Sequence, residues 1–153
     1  LASSRPGDLV CDLFSGSGTT AAVAAKLGRR FLVADASPVA MQLLRARQLV
    51  NQSEPTFFDG GHALRILYDT PPLGTFSPAI RIERTAAKVY FDGCADAELA
   101  YLAAGELAPD GIFTAHAYAL MPMPGTALTL PNVKRICVQA CDHAGKMWFV
   151  SLP

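Results

Sequence analysis

The hydrophobic pattern differs between the two halves of the chain. Residues 8–14 form a short apolar run containing Leu9, Val10, Cys11 and Leu13, the pattern of a strand buried on both faces. Gly16 and Gly18 interrupt it, an alanine-rich stretch follows over residues 19–27, and Gly28 is suited to ending a helix. A second apolar run, Phe31, Leu32, Val33 and Ala34, predicts a second strand. Ser37 and Pro38 have the character of an N-cap and first helical position. In the helix they open, Val39, Leu43, Ala46 and Val50 share the apolar face, and Gln42, Arg45 and Gln48 point elsewhere. Strand, helix, strand, helix in this order is a β-α-β-α unit and predicts parallel pairing.

Phe57 and Phe58 predict a short third strand, and residues 64–68 another. Pro71, Pro72, Gly74 and Pro78 then break any regular element. Beyond them Ile80 and Ile82 alternate with Arg81 and Glu83, and Val89 and Phe91 alternate with Lys88 and Tyr90, the period of half-buried strands. Asp96 is placed to cap a helix packing Leu99, Ala100, Ala103 and Ala104 inward, ahead of the turn signal Pro109-Asp110-Gly111. Residues 112–120 predict a strand. Ile136, Val138 and Ala140 alternate inward, residues 142–145 turn, and residues 147–152 return. The expected organisation is an α/β portion over residues 1–69, a linker over 70–78 and a small, mainly antiparallel β-rich region over 79–153.

Composition narrows this picture. A chain of 153 residues with 51% hydrophobic content can bury a core and is unlike a disordered chain. Balanced charge, 13 Lys+Arg against 13 Asp+Glu, excludes a globally basic nucleic-acid surface. Lys26, Arg29, Arg30, Arg45 and Arg47 form a local basic excess, read first as a solvated helix face and second as a phosphate contact. No apolar run approaches the ~20 residues of a membrane span, and residues 1–8 lack the apolar stretch of a secretory signal. Four cysteines, Cys11, Cys94, Cys137 and Cys141, make no dense disulfide framework, so a reducing, cytoplasmic setting is expected, with Cys11 a buried thiol. Cys137, Cys141 and His143 fit no common zinc spacing, so packing accounts for them. His62 and His116 stand alone, and Trp148 with Phe149 reads as hairpin core. The first residue is Leu rather than Met, which suggests a piece of a longer protein.

The chemistry concentrates in Asp12-Leu13-Phe14-Ser15-Gly16-Ser17-Gly18-Thr19-Thr20, which ends a strand and opens a helix. This is where α/β sheets bind ligands: glycines let a ligand approach the backbone, and N–H groups of the helix start can hold an anion. Asp35 follows the second strand, where a carboxylate accepts hydrogen bonds from ribose hydroxyls. Gly16-Ser17-Gly18-Thr19-Thr20-Ala21 satisfies the G-x-G-x-x-G/A fingerprint, which leaves a nicotinamide or flavin dinucleotide, and thus an NAD(P)-dependent oxidoreductase, as one reading. Asp12 favours another. A carboxylate beside the glycine loop repels a pyrophosphate, whereas S-adenosylmethionine has no phosphate and carries a positive amine and a positive sulfonium. A third reading is a non-catalytic binding module.

The stretch from Leu9 to Arg47 resembles the cofactor-binding part of the amino-methylating DNA methyltransferases, which modify the exocyclic amino group of adenine or cytosine. Their first motif, D-P-F-x-G-S-G-T-T, is matched from Asp12 to Thr20 except that Leu13 stands in place of Pro. Leu27-Gly28-Arg29-Arg30-Phe31, Asp35-Ala36-Ser37-Pro38 and the lead-in over residues 2–8 are similar as well. The resemblance implies a partial Rossmann-like methyltransferase sheet that binds S-adenosylmethionine, with Asp12, Phe14, Gly16, Ser17, Gly18, Thr19 and Thr20 around the methionine part and Asp35 on the ribose. It implies DNA as the partner of the complete enzyme, and it admits a restriction subunit as another. The family's catalytic motif, a polar residue followed by two prolines and an aromatic, has no full match. Asp69-Thr70-Pro71-Pro72-Leu73 has the prolines, with Thr70 and Leu73 at the polar and aromatic positions. Leucine offers no π-face for a flipped base, so this fragment is expected to bind cofactor without methylating.

Overall fold

In the computed structural model the described residues are 3–52, 66–68, 71, 73–109, 112–131 and 135–152. The chain divides into two compact units, Leu1–Thr70 and Pro71–Pro153. Strands outnumber helices, and the α-helices and parallel strands belong to the first unit.

The first unit runs β1 (Leu9–Asp12), α1 (Thr19–Lys26), β2 (Arg30–Val33) and α2 (Pro38–Gln52). The two strands pair in parallel, with Leu9 opposite Arg30 and Asp12 opposite Val33. Gly28, at φ +68°, ends α1: its N–H donates to the Ala25 carbonyl at 3.0 Å, and the Arg29 N–H donates to Ala24 at 2.9 Å. These bonds satisfy carbonyls that the helix leaves open, in a left-handed turn that favours glycine. At the start of α2, Ser37 Oγ accepts the Ala40 N–H at 3.4 Å and Pro38 takes the first helical position. Ser37 and Pro38 thus play their predicted parts.

Two burial expectations are corrected. Strand β1 is covered on one face, not both: Leu9 is 53% and Leu32 58% exposed, and Cys11 is exposed too. Val10 and Phe31, on the α1 side of the pleat, are half-buried. The physical reason is that α1 packs on one face of β1 and β2, and no described element of this unit covers the other. Helix α2 is rotated relative to expectation. Val39 and Leu43 are exposed, whereas Gln42, Arg45 and Gln48 are buried together with Ala40 and Leu44. The helix is oriented by Leu44, which packs against Gly18, and by Arg45, which donates to Gln42 Oε1 at 3.4 Å and to the Tyr68 hydroxyl at 3.2 Å. Gln42 and Arg45 enter this interior hydrogen-bonded, which offsets the cost of removing them from water, whereas Gln48 Nε2 is buried without a partner among the described residues.

The second unit is antiparallel throughout its named strands. One sheet has the order β3-β4-β7, built from β3 (Ala79–Glu83), β4 (Lys88–Gly93) and β7 (Thr126–Thr129). The other has the order β6-β5-β8-β9, from β5 (Leu99–Leu107), β6 (Phe113–Leu120), β8 (Ile136–Asp142) and β9 (Met147–Leu152). Val89, Phe91 and Leu128 of the first sheet join Leu99, Leu102, Ala104, Ile136, Val138 and Ala140 of the second in one core. The alternation read in β3 and β4 has its physical counterpart here, with Ile80 and Ile82 packed against that core. In β8, by contrast, Cys137 and Cys141 on the other face are buried as well as Ile136, Val138 and Ala140.

The helix expected after Asp96 is a strand. β5 lies between β6 and β8, and every residue from Leu99 to Gly105 is buried. A strand covered on both faces shows no polar alternation, so its alanines and leucines also satisfy a helical spacing. Gly105 settles its close pairing: a Cβ there would run into the Thr114 carbonyl of β6. The stretch expected as a linker over 70–78 in part packs into the second unit, since Phe76 is a core residue and the Gly74 N–H donates to the Met147 carbonyl at 2.8 Å. The strand expected at Phe57 and Phe58 lies outside the described residues. Of residues 64–68, only 66–68 are described, and they form no strand. Asp69, Thr70 and Pro72 of the two-proline segment also lie outside them.

Candidate functional site

The first unit brings its predicted residues together at the C-terminal ends of β1 and β2. Asp12 is the last residue of β1, Asp35 follows β2, and the glycine loop over residues 13–18 leads into α1. The loop is fastened to the strand ends by backbone bonds. Ser15 N–H donates to the Ala34 carbonyl at 3.0 Å, Ala34 N–H to the Asp12 carbonyl at 2.9 Å, and Gly18 N–H to the Ser15 carbonyl at 2.9 Å. Gly16 and Gly18 take φ of +51° and +77°, which side-chain-bearing residues rarely adopt. Their surroundings differ. A Cβ on Gly18 would lie 2.9 Å from Leu44 Cγ, whereas one on Gly16 would meet nothing within 4 Å. Gly18 serves packing, and Gly16 leaves the loop backbone open to approach.

Both carboxylates are organised by this loop. Asp12 Oδ2 accepts the Thr20 hydroxyl at 2.6 Å and Oδ1 accepts the Phe14 N–H at 3.1 Å. Asp35 Oδ2 accepts the Gly16 N–H at 2.8 Å and Oδ1 accepts the Ser37 N–H at 2.9 Å. The Thr20 hydroxyl, then the Phe14 N–H, hold Asp12 below the usual carboxylate range, against partial burial and the charge of Asp35. The N–H groups of Ser37 and Gly16 do the same for Asp35. Two ionised acids therefore stand at adjacent strand ends at neutral pH. Each carboxylate oxygen accepts one of these bonds and retains a second lone pair for a ligand.

The remaining predicted residues occupy the rim. Phe14 is 91% exposed, Ser17 is half-buried, and Thr19 is the exposed first residue of α1. Ser15 is buried, and its hydroxyl has no hydrogen-bond partner among the described residues. A cleft of about 360 Å³ beside α1 is lined by Val10, Thr20, Val23, Leu27 and Arg29, among others. It shares Thr19 and Thr20, the first residues of α1, with the predicted site and includes neither aspartate.

The basic excess separates into individual roles. Arg29 is buried, donating to Ser4 Oγ at 2.8 Å, the Ser4 carbonyl at 2.6 Å and the Leu27 carbonyl at 3.0 Å. Arg45 is buried too, so neither belongs to a solvated face. Arg47, by contrast, is exposed and reaches the site, donating from Nη1 to Thr19 Oγ1 at 2.8 Å. Sequence reasoning missed that pairing because it joins residues 28 positions apart on different helices. Cys137 and Cys141 are fully buried, and no group of three or more His, Cys, Asp or Glu is placed to hold a metal ion among the described residues. No described helix is long and apolar enough to cross a membrane.

A glycine loop opening a helix, with ionised aspartates at two parallel strand ends, defines a site suited to a small ligand bearing a cation and hydroxyl groups. Residues 1–45 match the DNA methylase family, and the first unit thereby resembles the amino-methylating DNA methyltransferases. Among curated proteins, the chain is similar to the Type II methyltransferase M1.MboII of Moraxella bovis, 53% identical over 53 residues, which is 35% of this chain and 20% of that protein. It is similar also to the Type II methyltransferase M2.DpnII of Streptococcus pneumoniae, 49% identical over 47 residues, 31% of this chain and 18% of that protein. The matched stretch spans about a fifth of the length of these relatives. No solved structure matches the chain.

Proposed function

We propose that the first unit is the cofactor-binding portion of a DNA methyltransferase, part of a Rossmann-like sheet, and that it binds S-adenosylmethionine. The observation that carries this reading is the pair of ionised aspartates around an open glycine loop. Asp12 faces the cationic amino-acid end, Asp35 accepts the ribose hydroxyls, and the bare Gly16 backbone lets the ligand lie close. Phe14, Ser17, Gly18, Thr19 and Thr20 complete the surround. When bound, the cofactor supplies a methyl group activated by its sulfonium. The chain's own contribution is to bind and orient it, which favours transfer by removing rotational and translational freedom. In the complete enzyme the acceptor is the exocyclic amino group of adenine or cytosine in DNA, and a restriction subunit is a further partner.

The fragment alone does not methylate DNA in this reading. Its one Pro-Pro pair, at Pro71 and Pro72, is preceded by Thr70 rather than an acid or amide and followed by Leu73, which has no aromatic face to hold a flipped base. A dinucleotide is disfavoured for a structural reason: the Gly16 N–H, a natural phosphate donor, is already bonded to Asp35, and a pyrophosphate there would face two carboxylates. Calorimetry of the 153-residue chain with S-adenosylhomocysteine and with NAD tests the proposal. Binding of the former and not the latter is expected. Preference for NAD would overturn it, and methylation of DNA by the purified chain would overturn the inactivity.

A further inference from the structure

The two threonines that open α1 are held by opposite charges. Thr20 donates its hydroxyl to Asp12 at 2.6 Å, and Thr19 Oγ1 accepts from Arg47 at 2.8 Å. Other arginines of this unit are committed to internal acceptors: Arg29 to Ser4 and Leu27, Arg30 to the Gly7 carbonyl, and Arg45 to Gln42 and Tyr68. Arg47 is exposed, and among the described residues no carboxylate pairs with it. Its Nη1 is directed to Thr19, which leaves donors of the same guanidinium available. The first turn of α1 contains no acidic residue of its own, so on the Thr19 side the nearest named charge is the Arg47 cation.

An anion and a cation astride one helix start complement a zwitterion. An α-amino acid carries its ammonium and carboxylate on a single carbon, and here a carboxylate and a guanidinium are bonded to successive residues of one helix start. We infer that Arg47 is the carboxylate-binding residue of this site. It selects a ligand ending in an intact amino acid, with the ammonium on the Asp12 side and the carboxylate on the Arg47 and Thr19 side. The inference rests on the cofactor reading above and adds to it a positioning residue that the glycine-loop motif does not contain.

The test compares two ligands and three forms of the 153-residue chain. S-adenosylhomocysteine keeps the amino-acid end, whereas 5′-methylthioadenosine keeps the nucleoside and thioether and lacks it. With Arg47→Met, affinity for S-adenosylhomocysteine should fall about tenfold, the scale of a charge-assisted hydrogen bond at an exposed site, and affinity for 5′-methylthioadenosine by less than about twofold. Arg47→Lys, which keeps the charge and loses the fork, should fall between wild type and Arg47→Met with the first ligand. An unchanged affinity for S-adenosylhomocysteine in Arg47→Met would overturn the assignment. So would equal losses for both ligands, which would mean that Arg47 only orders the helix start. Failure of the wild-type chain to bind either ligand is a separate result, and it would overturn the cofactor reading itself.

Discussion

Alanine at Gly18 and alanine at Gly16 are the same substitution in one loop, yet the structure assigns them different consequences. At Gly18 the added methyl must adopt φ +77° and lie 2.9 Å from Leu44 Cγ, 3.0 Å from its Cβ and 3.1 Å from its Cδ1. Leu44 is 2% exposed and has no free direction in which to retreat. The left-handed conformation costs a side-chain-bearing residue about 1–2 kcal/mol, and forcing a methyl into a packed interior costs about 1–3 kcal/mol more. A destabilisation of about 2–5 kcal/mol follows for the first unit. At Gly16 only the conformational part applies, because nothing lies within 4 Å, so about 1–2 kcal/mol is expected. The same methyl occupies the open side of the loop, so Gly16→Ala should weaken S-adenosylhomocysteine more than it weakens the fold. The named helices belong to the first unit and Trp148 to the second. Urea unfolding followed by far-ultraviolet circular dichroism reports chiefly on the first unit, and tryptophan fluorescence on the second. The reasoning is refuted if Gly18→Ala unfolds by the helical signal within about 0.5 kcal/mol of wild type, or if the two alanine variants are equally destabilised.

Removing the Thr20 hydroxyl should raise the Asp12 pKa towards the ordinary carboxylate value near 4, because that hydroxyl is the principal group holding it down. Carboxyl-carbon resonances of Thr20→Val against wild type would show it, and an unshifted Asp12 would contradict the assignment. Asp12 and Asp35 both have depressed pKa values when folded. Their contribution to stability is therefore complete above the unfolded value near 4 and disappears as pH falls through the folded values. The stability difference between wild type and Asp35→Asn should narrow below about pH 4 in thermal melts, and a difference constant from pH 2 to 6 would argue against this linkage. Alkylation followed by peptide mass spectrometry should label Cys11 in the folded chain, while Cys137 and Cys141 react only on unfolding; rapid labelling of either buried thiol would contradict the described packing. Gly105→Ala should destabilise the second unit by about 3 kcal/mol or more, since its Cβ meets backbone rather than a movable side chain. A tryptophan transition matching wild type would refute the close β5–β6 pairing.

Local chemistry made the first unit legible. The strand-loop-helix change in period, the Ser37-Pro38 helix start and the glycine after α1 each act over a few residues, so a sequence reading reaches them directly. Burial was less legible because it depends on neighbours. Val39 and Leu43 share a helical face with apolar character, but α2 is oriented by the Gly18–Leu44 contact and by the Arg45 hydrogen bonds, neither of which a hydrophobic stripe encodes. β5 failed for the opposite reason. Its polar–apolar period is erased by burial on both faces, and what distinguishes it from a helix is the approach of the Thr114 backbone at Gly105, a constraint imposed by another strand.

The site divides along the same line. Asp12 reaches Phe14 and Thr20, two and eight residues away, so motif and geometry express one local arrangement. Asp35 reaches Gly16 across 19 residues, and its position was still inferable because parallel pairing of β1 and β2 brings their ends together. Arg47 lies beyond both kinds of inference. Its meeting with Thr19 requires the rotation of α2 that buries Gln42 and Arg45, the same rotation that leaves Val39 and Leu43 exposed. Had α2 presented the expected apolar stripe to the interior, the residue two positions beyond Arg45 would have projected differently and Thr19 would have no cationic partner. The polar interior of this helix and the charge placed at the start of α1 are therefore two consequences of one packing choice. A variant that restores the apolar stripe by burying Val39 and Leu43 should lose the Arg47–Thr19 bond even with both residues intact.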